Sequence, residues 1–142
     1  IAQEPVFAPA PEPAHRTAHV LVVDDEPELV GLLCKQLTRL GYSARGCSGP
    51  EEALDALRGD GPQVDVVVSD LAMPRMSGID LAEVIHHERP ELPIVLCSGR
   101  VTEEDRGRAE RAGVQGFLAK PFASHQLADV MARSLGATGT RH

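Results

Sequence analysis

VLVVDDEPELVGLLCKQLTRLG, residues 20–41, contains a complete strand-then-helix unit. His19–Val23 reads HVLVV, an apolar run without alternation, as expected of a parallel strand covered on both faces. Asp24, Asp25 and Glu26 follow directly, and Leu29, Leu33, Leu37 and Leu40 then form a stripe at helical spacing that Gly41 ends. The pattern recurs along the chain. Val64–Val68, Ile94–Cys97 and Gln115–Ala119 predict further buried strands, and Tyr42–Cys47 a weaker one. Ser48-Gly49-Pro50-Glu51-Glu52 opens a capped helix that carries Ala53, Leu54 and Leu57. Ile79, Leu81, Ala82 and Ile85 supply a third helix, stopped before Pro90. Glu103–Ala112 is a poor fourth, mostly charged and interrupted by Gly107, and Leu127, Val130, Met131 and Leu135 form a fifth. Five such units predict an α/β fold, a doubly wound (βα)5 sandwich.

The chain has 142 residues, which suits one domain, and 21 acidic against 14 basic side chains give a net charge of −7. Aromatics are confined to Phe7, Tyr42, Phe117 and Phe122, so neither a basic patch nor a stacking platform for nucleic acid is expected. No stretch reaches the ~20 apolar residues a membrane helix needs. Cys34, Cys47 and Cys97 are too scattered for a disulfide framework or a zinc site and read as small core fillers in a reducing, cytoplasmic setting. Residues 1–17 are Pro/Ala-rich and read as a linker, 18–136 as the domain, and 137–142 as a frayed tail. No secretory signal precedes them, and the Ile1 start suits a segment of a longer protein.

Ligands of an open parallel sheet gather outside the carboxyl ends of its strands. There the sequence places Asp24 and Asp25, then Ser69 and Asp70, then Ser98, then Lys120. Like charges this close call for a cation, and hard oxygen ligands suit Mg²⁺. A carboxylate, a divalent metal, an ammonium and a hydroxyl are the parts that stabilise a transferring phosphoryl group. With no GxxxxGK[ST] or GxGxxG loop to cradle a nucleotide, the candidate nucleophile is Asp70, which would form an acyl phosphate. Glu83, His86 and His87 on the third helix lack further ligands and read as a solvated face. Met73 and Met76 read as cover for the site, and Arg106, Arg108 and Arg111 among acids as an exposed charged face.

VLVVDDE, DLAMPRMSG, LCSG and FLAKPF, in this order and spacing, resemble the receiver domain of two-component response regulators across nearly all of residues 18–135. The resemblance implies a flavodoxin-like sheet of order 2-1-3-4-5, with Asp70 as phosphoacceptor. It implies that Asp24, Asp25, Asp70 and the backbone carbonyl of Ala72 hold Mg²⁺ or Mn²⁺, that Lys120 contacts the phosphoryl group, and that Ser98 is the switch hydroxyl. Phe117 falls at the switch-aromatic position, with Phe in place of the more usual Tyr. Pro121 falls where the family commonly has a cis peptide bond. The implied donor is a histidine kinase or a histidine phosphotransfer domain. Phosphorylation would shift the 98–121 face and change partner affinity. No direct contact with nucleic acid or membrane is expected, and the chain is expected as a monomer or weak dimer.

The Pro/Ala-rich leader, and an LPIVLCSG stretch similar to receivers of hybrid sensor histidine kinases, suit a receiver at the C-terminus of a larger protein. A free-standing regulator is the alternative. An aspartyl-nucleophile phosphatase of the haloacid-dehalogenase type is the enzyme reading, but that family needs an acid two residues after the nucleophile, where this chain has Ala72. The expectation is therefore a non-enzyme that catalyses only its own phosphotransfer and dephosphorylation.

Overall fold

The computed structural model describes residues 17–61 and 63–139, so the leader expected over 1–17 lies outside it except for Thr17, as do the last three residues of the expected tail. Strands β1 (His19–Val23), β2 (Ser43–Cys47), β3 (Val66–Asp70), β4 (Ile94–Ser98) and β5 (Val114–Ala119) form one sheet in the order β2-β1-β3-β4-β5. Every pairing is parallel. Helices α1 (Pro27–Arg39), α2 (Pro50–Arg58), α3 (Gly78–Glu88), α4 (Glu103–Arg111) and α5 (Ser124–Gly139) complete a doubly wound, flavodoxin-like α/β sandwich.

Strand periodicity divides the core in two. Leu21, Val23, Val67, Ile94 and Leu96 face α2, α3 and α4 and meet Ala53, Ile79, Ile85 and Ala109. Val20, Val22, Val66, Val68, Val95 and Cys97 face α1 and α5 and meet Leu37, Leu127, Val130 and Met131. Both faces of the central strands are dry, which is why their runs carry no alternation.

The structure departs from the sequence pattern in three places. β3 begins two residues later than Val64–Val68, because Asp65 is spent on β1: its carboxylate accepts from the His19 N–H at 2.8 Å and its own N–H donates to the His19 carbonyl at 2.8 Å. The shift brings Asp70 onto the strand as its last residue. β1 keeps the limits read from the sequence, and β2, β4 and β5 each move by one residue at one end. The face of α1 is also rotated. Leu37 is buried, but Leu29 and Leu40 are each 37% exposed, and Val30, Leu33 and Cys34 take the inner positions. Gly46 on β2 permits this, since a Cβ there would lie 2.3 Å from Val30 Cγ1. Finally, α5 continues through Ala137, Thr138 and Gly139, where the sequence reads as tail; Gly136 lowers helix propensity without ending the helix.

The helix starts differ in strength. Ser77 and Asp80 form a reciprocal capping box at α3, with bonds of 3.1 and 3.2 Å, and Thr102 and Asp105 form another at α4. At α2 the cap is Gly49 without a side-chain bond, and Glu52 instead accepts from both the N–H and the hydroxyl of Ser48 at 2.8 Å. Of the nine residues of α4 only Ala109 is buried. Arg108 ties this helix to α3, reaching Asp80 at 2.9 Å and Glu83 at 3.1 Å, so it is more than part of a solvated face.

Two predictions follow from these contacts. Gly78 lies under the loop after β3, where a Cβ would sit 2.3 Å from the Asp70 carbonyl oxygen and 3.0 Å from Leu71 Cα. Gly78→Ala should therefore cost roughly 1–3 kcal/mol in urea unfolding, because backbone has to move to make room. The second concerns the α3–α4 tie. The hydrogen bond from Arg108 holds the Asp80 carboxyl below its usual value. A group lowered in the folded state stabilises above its unfolded pKa, and that contribution is lost as pH falls through the folded value. Arg108→Ala should lower the urea midpoint at neutral pH. The gap from the parent should close as the pH drops below the ordinary Asp value of about 3.9.

Candidate functional site

β1, β3 and β4 end side by side, with Val23 paired to Ser69 and Asp70 paired to Cys97. Three backbone bonds fix the loops that leave this edge: Asp24 N–H to the Cys47 carbonyl at 3.2 Å, Leu71 N–H to the Cys97 carbonyl at 2.9 Å, and Lys120 N–H to the Ser98 carbonyl at 2.9 Å. Their side chains converge. The Lys120 ammonium donates to Asp70 Oδ1 at 2.8 Å and stands 3.7 Å from Asp24 Oδ2. The Lys120–Pro121 peptide is cis.

The electrostatics are those of an acid cluster held by one ammonium. Asp24 is buried, and burial raises its pKa. The Glu26 N–H, donating to Asp24 Oδ1 at 3.0 Å, opposes that rise, and the Asp70 charge adds to it, leaving the net value raised. For Lys120, burial pulls the pKa down. The hydrogen bond to Asp70 and the charges of Asp70 and Asp24 outweigh it, so the ammonium is held above its ordinary value. Asp24, Asp25 and Asp70 each offer a carboxylate oxygen within 4.8 Å of the others. Three hard anionic donors at this spacing, one of them already raised in pKa by burial and a neighbouring charge, fit a divalent cation. Ala72 is exposed in the loop two residues beyond Asp70.

Ser98 is buried beside this cluster but turned away from it. Its hydroxyl donates to the Arg100 carbonyl at 2.5 Å and accepts from the Arg100 N–H at 3.0 Å. Phe117 is half-buried, and the Arg106 guanidinium carbon lies 5.1 Å from its ring centroid. Ser98 and Phe117 line a common cavity of about 680 Å³ under α4. A second hollow of about 350 Å³ opens directly over the charges, with Asp24, Asp70 and Lys120 below and Leu29, Leu32 and Phe122 around it. The sequence pattern does not show this wall, because Leu29 falls on the apolar stripe of α1 and nothing in the local sequence sets Phe122 beside it. The available signal is Leu32, a large apolar residue off the 29/33/37/40 spacing, and the structure leaves it exposed.

The remaining candidates are structural. Glu83 pairs with Arg108, and His86 fills the space against Gly113, whose φ of +82° and missing Cβ accommodate the ring. Met73 and Met76 pack against the α2–α4 layer of the core. Burial pushes the Cys47 and Cys97 thiols up to about 11 and about 12, as suits core fillers. No helix among the described residues is long and apolar enough to cross a membrane.

A family model described as the response regulator receiver domain matches residues 20–132. The transcriptional regulatory protein GlrR of Escherichia coli K12 is 35% identical over 132 residues, covering 90% of this chain and 29% of GlrR. The crystal structure of the receiver domain of NtrX from Brucella abortus superposes with a TM-score of 0.74 at 33% identity, covering 82% of this chain and 98% of that one. Chemotaxis protein CheY4 of Vibrio cholerae gives a TM-score of 0.79 at 26% identity, over 84% of this chain and all of the other. This chain spans about a quarter to a half of the length of the curated relatives it matches.

The acid cluster predicts a metal-linked stability. At Mg²⁺ near 100 times its dissociation constant, unfolding should become about 2.7 kcal/mol harder. Asp24→Asn should abolish that increment while leaving the metal-free protein at least as stable as the parent, since one of the crowded charges is gone. Thermal melts with Mg²⁺ and with EDTA read both effects; an undiminished Mg²⁺ increment in the variant would remove Asp24 from the ligand set.

Proposed function

The chain belongs to the response regulator receiver domain family, and on that premise we propose that it is a phosphoacceptor whose Asp70 takes a phosphoryl group from a phosphohistidine. The observation that carries this reading is the ion pair of Lys120 with Asp70 at 2.8 Å, beside two further carboxylates at the carboxyl edge of the sheet. Receiver domains act as phosphoacceptors, so the expected chemistry is transfer onto the protein itself.

In the proposed reaction an Asp70 carboxylate oxygen attacks phosphorus, the P–O bond forms as the P–N bond to the donor imidazole breaks, and the leaving imidazole takes up a proton. Lys120 moves its hydrogen bond from the carboxylate to a phosphoryl oxygen. That keeps positive charge where negative charge accumulates. Asp24, Asp25, Asp70 and the Ala72 carbonyl are the residues that would hold Mg²⁺ or Mn²⁺, which supplies further positive charge to the phosphoryl oxygens. Return to the resting state is hydrolysis of the acyl phosphate by water within the same site, with no second substrate.

The new phosphoryl oxygens give Ser98 an alternative to its bonds with Arg100. A hydroxyl that swings toward Asp70 vacates space beside Phe117, and the face over 98–121 is reshaped. Helix α4, with Ala109 as its one buried residue, offers little packing against that change. The donor is a histidine kinase or a histidine phosphotransfer domain, and the apolar wall of Leu29, Leu32 and Phe122 around the opening to Asp70 is a surface for it to rest on. The domain is read as starting at residue 18, behind a linker over 1–17, and as running to the end of α5 at Gly139. We place it in the cytoplasm as a monomer or weak dimer, as the last domain of a hybrid sensor histidine kinase. The linker composition and the LPIVLCSG stretch support that context.

Incubation with acetyl phosphate and Mg²⁺, followed by intact mass measurement, tests the reading. One adduct of ~80 Da is expected, absent in Asp70→Asn and without Mg²⁺. A parent chain that gains no mass and binds no fluoroberyllate would overturn it.

A further inference from the structure

Three arginines from separate elements line one cavity. Arg100 comes from the loop after β4, Arg106 from α4 and Arg133 from α5, and the space they share is about 680 Å³. That volume lies within the roughly 300–1,000 Å³ of small-molecule sites. All three are exposed, and among the described residues none makes an ion pair, whereas Arg58, Arg75, Arg89 and Arg108 each hold a carboxylate. Glu110 lines the same cavity and is likewise without an ion pair among the described residues. Arg106 and Glu110 stand four residues apart on α4, a spacing at which opposite charges ordinarily meet. Instead the Arg106 guanidinium lies over the Phe117 ring, its carbon 5.1 Å from the centroid. The cavity therefore gathers donors and an acceptor that the protein does not satisfy from within.

We infer that this cavity binds a guanine nucleotide. Arg100 and Arg133 take the phosphates, since guanidinium forks match phosphate oxygens in pairs. The base lies on the outer face of the Arg106 guanidinium, which Phe117 backs and which the exposure of Arg106 leaves open. Glu110 selects the base. An ionised carboxylate only accepts hydrogen bonds, and guanine presents two adjacent N–H donors, at N1 and N2, on its Watson–Crick edge. Adenine offers an acceptor at N1 and is the poorer match. Other occupants leave part of the set unmatched. An acidic peptide or inorganic phosphate pairs the arginines but sets a like charge against Glu110. An extended nucleic acid also has to pass Glu103 and Glu104, exposed on the same helix. The inference does not depend on Asp70 accepting a phosphoryl group.

The test uses the full chain and fluorescence anisotropy with GDP labelled on its ribose. EDTA is present throughout, so that metal-bound nucleotide at the Asp24, Asp25 and Asp70 cluster does not enter the reading. Saturable binding is expected, with unlabelled GDP displacing the probe at roughly a tenth or less of the ADP concentration needed. Pyrophosphate and guanosine, each carrying half of the ligand, should need roughly tenfold or more above GDP. Glu110→Gln should bring GDP and ADP to the same value. Arg100→Ala and Arg133→Ala should weaken both nucleotides alike, while Arg39→Ala, at an arginine on α1, should change neither. Circular dichroism checks that each variant is folded. The inference fails if no saturable binding is seen, if GDP and ADP are equal in the parent, or if Glu110→Gln still tells them apart. Pyrophosphate as effective as GDP overturns it in favour of a simple anion. An equal loss in Arg39→Ala overturns it in favour of general surface charge, and unchanged binding in both Arg100→Ala and Arg133→Ala puts the nucleotide elsewhere. A mass adduct from acetyl phosphate without GDP binding defeats this inference alone, and GDP binding without an adduct defeats only the phosphoacceptor reading.

Discussion

A lysine at the end of β5 has to hold two aspartates that the sheet forces together. Parallel strands bring all their carboxyl ends to one edge, so Asp24 after β1 and Asp70 at the end of β3 meet with no choice of register to separate them. Burial, and after it the charge of Asp70, raises the pKa of Asp24, and Lys120 answers with contacts to both carboxylates. The loops at this edge are anchored to strand carbonyls, Leu71 to Cys97 and Lys120 to Ser98, so that the charges stay within reach of one another. Rigid support of this kind is what a site needs if it is to act on a small, highly charged group.

The support is uneven across the molecule. On the α1 and α5 side, the helices press onto Val20, Val22, Val66, Val68 and Val95 with large apolar side chains. On the other side α3 is capped and well buried, while α4 contributes Ala109 and otherwise charges. Its registration relies on polar contacts, among them the Arg108 bridge to Asp80 and Glu83 and the Arg106 contact with Phe117. Contacts of this kind can be exchanged at little net cost, whereas apolar packing cannot be rearranged without opening voids. The layer able to shift is therefore the one that Ser98 and Phe117 adjoin.

Much of this was legible in the sequence because it depends on local order. HVLVV and VVVSD are buried on both sides and carry no alternation, and the charged residues follow their strands directly. Contacts between elements distant in the chain were not legible. Arg108 reads as one charge among many on α4 until the fold places it over Asp80 and Glu83. The stripe of Leu29, Leu33, Leu37 and Leu40 on α1 holds for Leu33 and Leu37, while the approach to Gly46 brings in Val30 and leaves Leu29 and Leu40 partly exposed. The start of β3 shifted because Asp65 was needed by His19, a partner 46 residues away.

Gly46 carries one more implication. It lies on β2 against α1, where Val30 occupies the volume a side chain would need. Leu29, Leu32 and Leu33, on the same helix as Val30, wall the opening above Asp70. Any residue larger than glycine at 46 would act as a wedge, lifting α1 and widening that doorway without altering a charge or a ligand. Access to Asp70 is thus set partly from the neighbouring edge strand, by an atom that is missing.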